Sequence, residues 1–115
     1  EKIKCVVSAG GMNLFAERAS KLSSCAIQYF PGLLQYGDVG EVYSLIAPRP
    51  LQLQAGTEDQ LITPEDRDGI SDTVRKAYKA AGKPENLSVE VFEGGHYLDW
   101  KLAKEFLAKH LIRKK

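Results

Sequence analysis

Apolar residues recur along the chain in three short β-type runs, separated by stretches with helical spacing. The first run, IKCVVSAG (Ile3 to Gly10), is nearly continuous in apolar residues and is stopped by Gly10-Gly11. Such a run suits a parallel strand covered on both faces, expected over residues 3–8. In the second, Pro48 and Pro50 exclude helix and lead into a strand over 51–55, ended by Gly56. The third, 87–92, alternates Leu87, Val89 and Val91 against Ser88 and Glu90 and ends at Gly94-Gly95.

Between these runs the period changes. Met12 to Leu22 places Leu14, Phe15, Arg18, Ala19 and Leu22 at helical spacing. Asp38 reads as the N-cap of a short helix through Leu45, with Val39, Val42, Tyr43 and Ile46 on one side. Thr63-Pro64-Glu65-Asp66 supplies a hydroxyl cap, a proline at the first helical position and acids in the first turn. The helix after it carries Ile70, Val74, Ala77, Tyr78 and Ala81 as a buried stripe, closed by Gly82 and Pro84. Asp99 can cap a last helix whose apolar face is Ala103, Phe106, Leu107, His110 and Leu111. Ser23 to Gly37 contains Pro31-Gly32 and reads as an ordered loop. Its Tyr29, Phe30, Leu33, Leu34 and Tyr36 either line a cleft or pack under the loop, and packing is the commoner outcome.

Strands separated by helices imply βαβ units. The expected fold is α/β, with about three parallel strands (3–8, 51–55, 87–92) flanked by helices in one domain, 1–115. Open parallel sheets place their chemistry beyond the carboxyl ends of the strands. Asp59 follows the second strand and His96 the third. Imidazole is the side chain that titrates near neutrality, and a carboxylate can hold it in one tautomer. Neighbouring strands lie about 4.8 Å apart, so short loops can bring the two together. The glycines before His96 allow a sharp turn there. Each residue also has a bland reading, Asp59 as turn chemistry and His96 as a loop residue. Glu58 and Asp66 are rival acids. Asp66 is accounted for by the helix start, whereas Glu58 is adjacent to Asp59 and sequence separates the two poorly. Asp99 could reach His96 but has a role as a cap, and His110 reads as a helix-end residue.

Composition changes little in this picture. A chain of 115 residues, 43% hydrophobic and 27% charged, is long enough to bury a core. Its net charge of +1 gives no reason to expect nucleic acid. The basic tail, Lys109 to Lys115, closes the last helix, where cations are favoured by the dipole. No apolar run is long enough to span a membrane, and no signal peptide is visible. The chain opens at Glu1, almost directly on a strand, so an upstream part is expected to be missing and the lack of a targeting signal carries little weight. Cys5 and Cys25 form neither a disulfide framework nor a metal site; Cys5 reads as a buried small hydrophobe. Location stays undetermined, with free cysteines leaning towards a reducing, cytoplasmic compartment.

The segments IAPRPLQLQAGTEDQLITPED and VEVFEGGHYLD resemble the C-terminal part of α/β-hydrolases of the dienelactone-hydrolase and acetyl-xylan-esterase-like groups, and YFPGLLQYGD is similar to their loop before the APRP segment. The resemblance implies a partial α/β-hydrolase fold. It also implies that Asp59, in Gly56 to Asp59, is the triad acid and that His96, in Gly94 to His96, is the triad base. It further implies an ester or acyl hydrolase with no metal or organic cofactor. The chain departs from the pattern in one respect: no G-x-S-x-G elbow occurs, and no serine has the required glycine flanks. The expectation is therefore an acid-and-base half of a serine-type ester hydrolase, inactive alone, acting on a small ester in the complete protein. The alternative is a non-catalytic α/β module that self-associates or pairs with a partner chain, such as the missing N-terminal part, through its first strand edge.

Overall fold

The computed structural model describes residues 2–18 and 30–112. Three strands, β1 (Val6–Ala9), β2 (Leu51–Gly56) and β3 (Leu87–Phe92), form one parallel sheet in the order β1-β2-β3. Val6 lies beside Leu51, and Leu51 beside Leu87. The expected α/β fold with three parallel strands is therefore present. β1 begins later than the apolar run suggests, because its pairing with β2 starts only where Val6 meets Leu51. Cys5 precedes it and is half-buried rather than buried.

The helices are α1 (Phe15–Arg18), α2 (Val39–Ser44), α3 (Pro64–Ala80) and α4 (Trp100–Leu111). Of the expected helix over 12–22, only α1 falls among the described residues; Ala19 to Tyr29, including Cys25, lie outside them, as do Arg113 to Lys115. Asp38 starts two helices at once. It forms a capping box with Glu41 at α2, and its carboxylate also accepts from the Phe15 and Ala16 amides at 2.7 and 3.2 Å. One carboxylate thus satisfies amides that each helix start leaves unpaired. Thr63 caps α3, with Pro64 at its first position, as the sequence indicates.

Every residue of β2 is buried, but its two faces differ. Leu51, Leu53 and Ala55 pack with Ile70, Val74 and Tyr78 of α3 and with Met12, Val39 and Ile62 in one apolar cluster. Strand residues alternate between faces, so Gln52 and Gln54 point the other way, towards α4. There the Gln52 amide reaches Leu102 O at 3.4 Å and the Gln54 amide reaches Gln52 Oε1 at 2.9 Å. Buried amides are tolerated only with partners, and these supply a polar layer between β2 and α4. The Tyr78 hydroxyl donates to Arg49 O at 2.5 Å, tying α3 to the proline segment that leads into β2.

The expected apolar stripe of α3 holds at its centre, Val42 in the middle of α2 is 38% exposed, and the stripes fail at their ends. Ala81, the C-cap residue of α3, is exposed, and Leu111 and Val91 are 52% and 46% exposed. Each lies at or near the last residue of its element, past the reach of the facing layer.

Candidate active site

The site is built where β2 and β3 end. Thr57 N–H donates to Phe92 O at 2.8 Å, and Glu58 N–H donates to Gly94 O at 2.8 Å, so the two exit loops stay zipped beyond the sheet. That approach requires a glycine at position 56. A β-carbon there would fall 2.2 Å from Gly94 O and 2.3 Å from Gly95 O, contacts that backbone atoms cannot relieve without moving. At Gly94 a β-carbon would meet the Tyr97 hydroxyl at 2.1 Å.

Asp59 and His96 are brought together by these loops. Asp59 Oδ2 lies 2.8 Å from His96 Nδ1, and the Leu61 amide donates to Asp59 Oδ1 at 2.9 Å. The Asp59 side chain is fully buried, whereas that of His96 is 52% exposed. The carboxylate is thus held from two sides while the ring faces outward. With Nδ1 engaged, Nε2 is the ring nitrogen left for chemistry.

The rival acids are elsewhere. Glu58 is exposed and contributes its backbone N–H to the loop zip. Asp66 is buried at the start of α3, where the Leu14 amide donates to its carboxylate at 3.4 Å. Burial raises its pKa, an effect opposed by the Leu14 amide and the Thr63 hydroxyl and reinforced by Glu17. Asp99 caps α4, accepting from Leu102 N–H at 3.1 Å. The His110 ring lies in the last turn of α4 against Phe106, 4.5 Å between centroids.

Beside His96 a cleft of about 450 Å³ opens at the end of β1, lined by Gly10, Phe15, Arg18, Val39 and Tyr43 among others. The Ser8 and Tyr43 hydroxyls are 2.6 Å apart, and Tyr43 also reaches Gly11 O at 3.3 Å. Burial raises the Tyr43 pKa, and the Ser8 hydrogen bond and the Arg18 charge oppose that. The Arg18 guanidinium lies 4.6 Å over the Phe15 ring and bonds the buried Asn13 through its carbonyl and side-chain oxygens. Among the described residues, no group of three His, Cys, Asp or Glu side chains is placed to hold a metal ion.

No protein-family model and no curated protein matches the sequence. Among solved structures, a crystal structure from Bacteroides fragilis NCTC 9343, provisionally named an acetyl xylan esterase, superposes with a TM-score of 0.71 at 20% identity over 96% of this chain. The chain shares an α/β fold with that part of the solved chain. It spans 37% of the length of that solved chain.

Within this frame, three positions escape the sequence reading. Gln54 is fully buried on β2 and holds the loop after His96 by both ends of one peptide-like pair. Its Oε1 accepts from Asp99 N–H at 2.9 Å, and its Nε2 donates to Asp99 O at 3.2 Å. Gly10 forms a surface against which the imidazole lies. Tyr43 reads as one member of an apolar helix face, yet its hydroxyl enters the cleft beside His96. The signal for Gln54 was available: glutamines at alternate positions of a strand otherwise made of Leu and Ala mark a polar inner face. Nothing local marks the other two, since their partners lie 86 positions (Gly10 to His96) and 35 positions (Ser8 to Tyr43) away in the chain.

Proposed function

We propose that this chain carries the acid and base of a serine-type carboxylic-ester hydrolase of the α/β-hydrolase kind, in the dienelactone-hydrolase and acetyl-xylan-esterase-like group, with Asp59 as acid and His96 as base. The observation that carries this reading is the 2.8 Å contact between a fully buried carboxylate and a half-exposed imidazole at adjacent strand ends. In the reaction, a serine hydroxyl supplied from residues outside this sequence attacks the ester carbonyl while His96 Nε2 takes its proton. Asp59 keeps Nδ1 protonated and stabilises the imidazolium. The imidazolium then returns the proton to the leaving alcohol, and water, activated by the same nitrogen, releases the acid from the acyl-enzyme.

The test is hydrolysis of a short aryl acetate by this chain and by a longer form that includes an upstream G-x-S-x-G segment. The longer form is expected to turn over, to lose activity in His96→Ala, and to fall by about 10⁴-fold in Asp59→Asn, where the amide favours the wrong imidazole tautomer. The present chain is expected to show little turnover. Unchanged turnover of the longer form in His96→Ala would sink the reading, and fast turnover by this chain alone would place the nucleophile within it.

A second reading has its own support. β1 lies at the edge of the sheet with all four residues only half-buried. Unpaired edges template association, so the chain would act as a binding module, with itself or with a partner strand.

A further inference from the structure

The cleft beside His96 does not end at Tyr43. Phe30 and Val42 line it, and the same two residues line an adjoining groove of about 580 Å³. Beyond them the groove is walled by Pro31, Leu33 and Tyr36. The two spaces differ in chemistry. At the His96 end stand the Ser8 and Tyr43 hydroxyls and the Arg18 guanidinium. Along the groove the side chains are almost all apolar, and several are open to solvent: Phe30 is 62% exposed and Tyr36 87%. Phe30, Leu34 and Tyr36 are thus not packed beneath the loop, whereas Leu33 is half-buried and Tyr29 lies outside the described residues.

Scattered exposed apolar residues need no explanation, but a contiguous apolar groove does. Its occupant is indicated by where it leads. A polar head space at the imidazole that shares Phe30 and Val42 as walls with an apolar trough has the polarity profile of a molecule with an ester at one end and a long hydrocarbon or aryl group at the other. A site for a small acyl group on a hydrophilic alcohol would need hydroxyl-binding side chains along the trough, and among the described walls only Gln35 and the Tyr36 hydroxyl could serve, against Phe30, Pro31, Leu33 and Val42. Together the two spaces exceed the lower range of small-molecule pockets.

We propose that the His96 cleft and the Phe30–Tyr36 groove form one channel that selects esters carrying an extended apolar group, with the ester at His96 and the apolar group along Leu33 and Tyr36. This inference rests on the hydrolase reading for the identity of the polar head, and it concerns the substrate class.

Binding separates the two claims, because it needs no turnover. Neutral primary amides, butanamide and octanamide, serve as uncleaved probes, titrated into this chain and followed by amide and imidazole NMR shifts. Burying each added methylene should tighten binding about three- to fourfold in the ideal case. Octanamide is therefore expected to bind at least about tenfold tighter than butanamide, with shifts running from Gly10 and His96 through Val42 to Tyr36. Tyr36→Ser removes an exposed ring, so the fold should stand. It is expected to erase much of the octanamide gain and leave butanamide binding unchanged. Equal affinities for the two amides, or shifts confined to the groove with none at His96, would overturn the channel. Chain-length dependence at His96 with no ester turnover in the longer protein would overturn the hydrolase reading alone.

Discussion

The His96 imidazole lies directly over the α-carbon of Gly10: a β-carbon at that position would fall 2.7 Å from Cε1 and 3.0 Å from Nδ1. Nδ1 is also the atom that meets Asp59. The end of β1 therefore helps set the geometry of a pair whose members come from β2 and β3.

Gly10→Ala should push the ring off Asp59. Gly10 has φ of +69°, so alanine also brings a backbone cost of about 1–2 kcal/mol. Gly82→Ala separates the two effects. Gly82 has φ of +70° with nothing near its would-be β-carbon. Both variants should lose the backbone share in thermal melts. Gly10→Ala should lose more, because it also leaves the buried Asp59 carboxylate without its ring partner, and only Gly10→Ala should shift the hydrogen-bonded Nδ1 proton resonance. An unmoved resonance in Gly10→Ala would show that the ring does not depend on this contact.

Gln54→Leu tests the link between the acid's strand and the base's loop. Leucine keeps the volume but strips partners from Asp99 N–H, Asp99 O and Gln52 Oε1. Each buried polar group left unpaired costs about 1–3 kcal/mol, with water relieving some of it. A loss of about 2–4 kcal/mol is expected in denaturant unfolding, with faster amide exchange at Asp99 and its neighbours. Stability within about 0.5 kcal/mol of the parent would mean that the loop is held by other means.

How far the site could be read in advance follows from the range of each signal. The strand ends at Gly56 and Gly94 are local punctuation, and they place Asp59 and His96 just beyond the carboxyl ends of two strands. The zip between the loops is not local. It depends on Gly56 facing Gly94 and Gly95, 38 and 39 positions away. A glycine that ends a strand and one that admits another backbone look the same in sequence. Apolar periodicity likewise finds Ile70, Val74 and Tyr78. It cannot say that Phe30 and Tyr36 stay uncovered, because the period says which residues share a face and not what meets that face.

Asp66 should leave a pH signature. Its pKa is raised in the fold, chiefly by burial. Between the unfolded carboxylate value, about 3.9, and the raised folded value, the native state holds more protons than the unfolded one. This group's contribution to stability therefore falls as pH rises through that window. Asp66→Asn imitates the protonated form and can still accept from Leu14 N–H. Relative to the parent, the variant should gain in stability as pH rises from 3 to 7, measured by urea unfolding at each pH. A gain that is flat with pH would remove Asp66 from the account.

The half-exposed edge at β1 bears on association. If the edge recruits a second copy, light scattering should report dimers at micromolar concentration. Val7→Pro should then return the chain to monomer, because proline removes an amide and stiffens the strand. The same variant could disturb the β1–β2 ladder, so Val7→Lys, which charges the edge without removing an amide, serves as its companion. A monomer in the parent chain would count against the binding-module reading and leave the hydrolase reading standing.

Tyr78 makes the last testable case, at the alkaline end. Its hydroxyl is bonded to Arg49 O at 2.5 Å, and burial pushes its pKa up to about 12, with the Arg49 charge pulling in the opposite direction. Unfolded tyrosine ionises near 10. From about pH 10 up to 12 the native state keeps a proton that the unfolded state has lost, so stability falls across that interval. Tyr78→Phe should abolish this part of the alkaline decline. It should also cost about 1–3 kcal/mol at pH 7, because a buried carbonyl loses its partner between α3 and the segment that starts β2. Melting curves for both proteins at pH 7, 10 and 11 measure the two effects together. If the gap between parent and variant stayed constant across those pH values, ionisation of Tyr78 would not be the source of the decline.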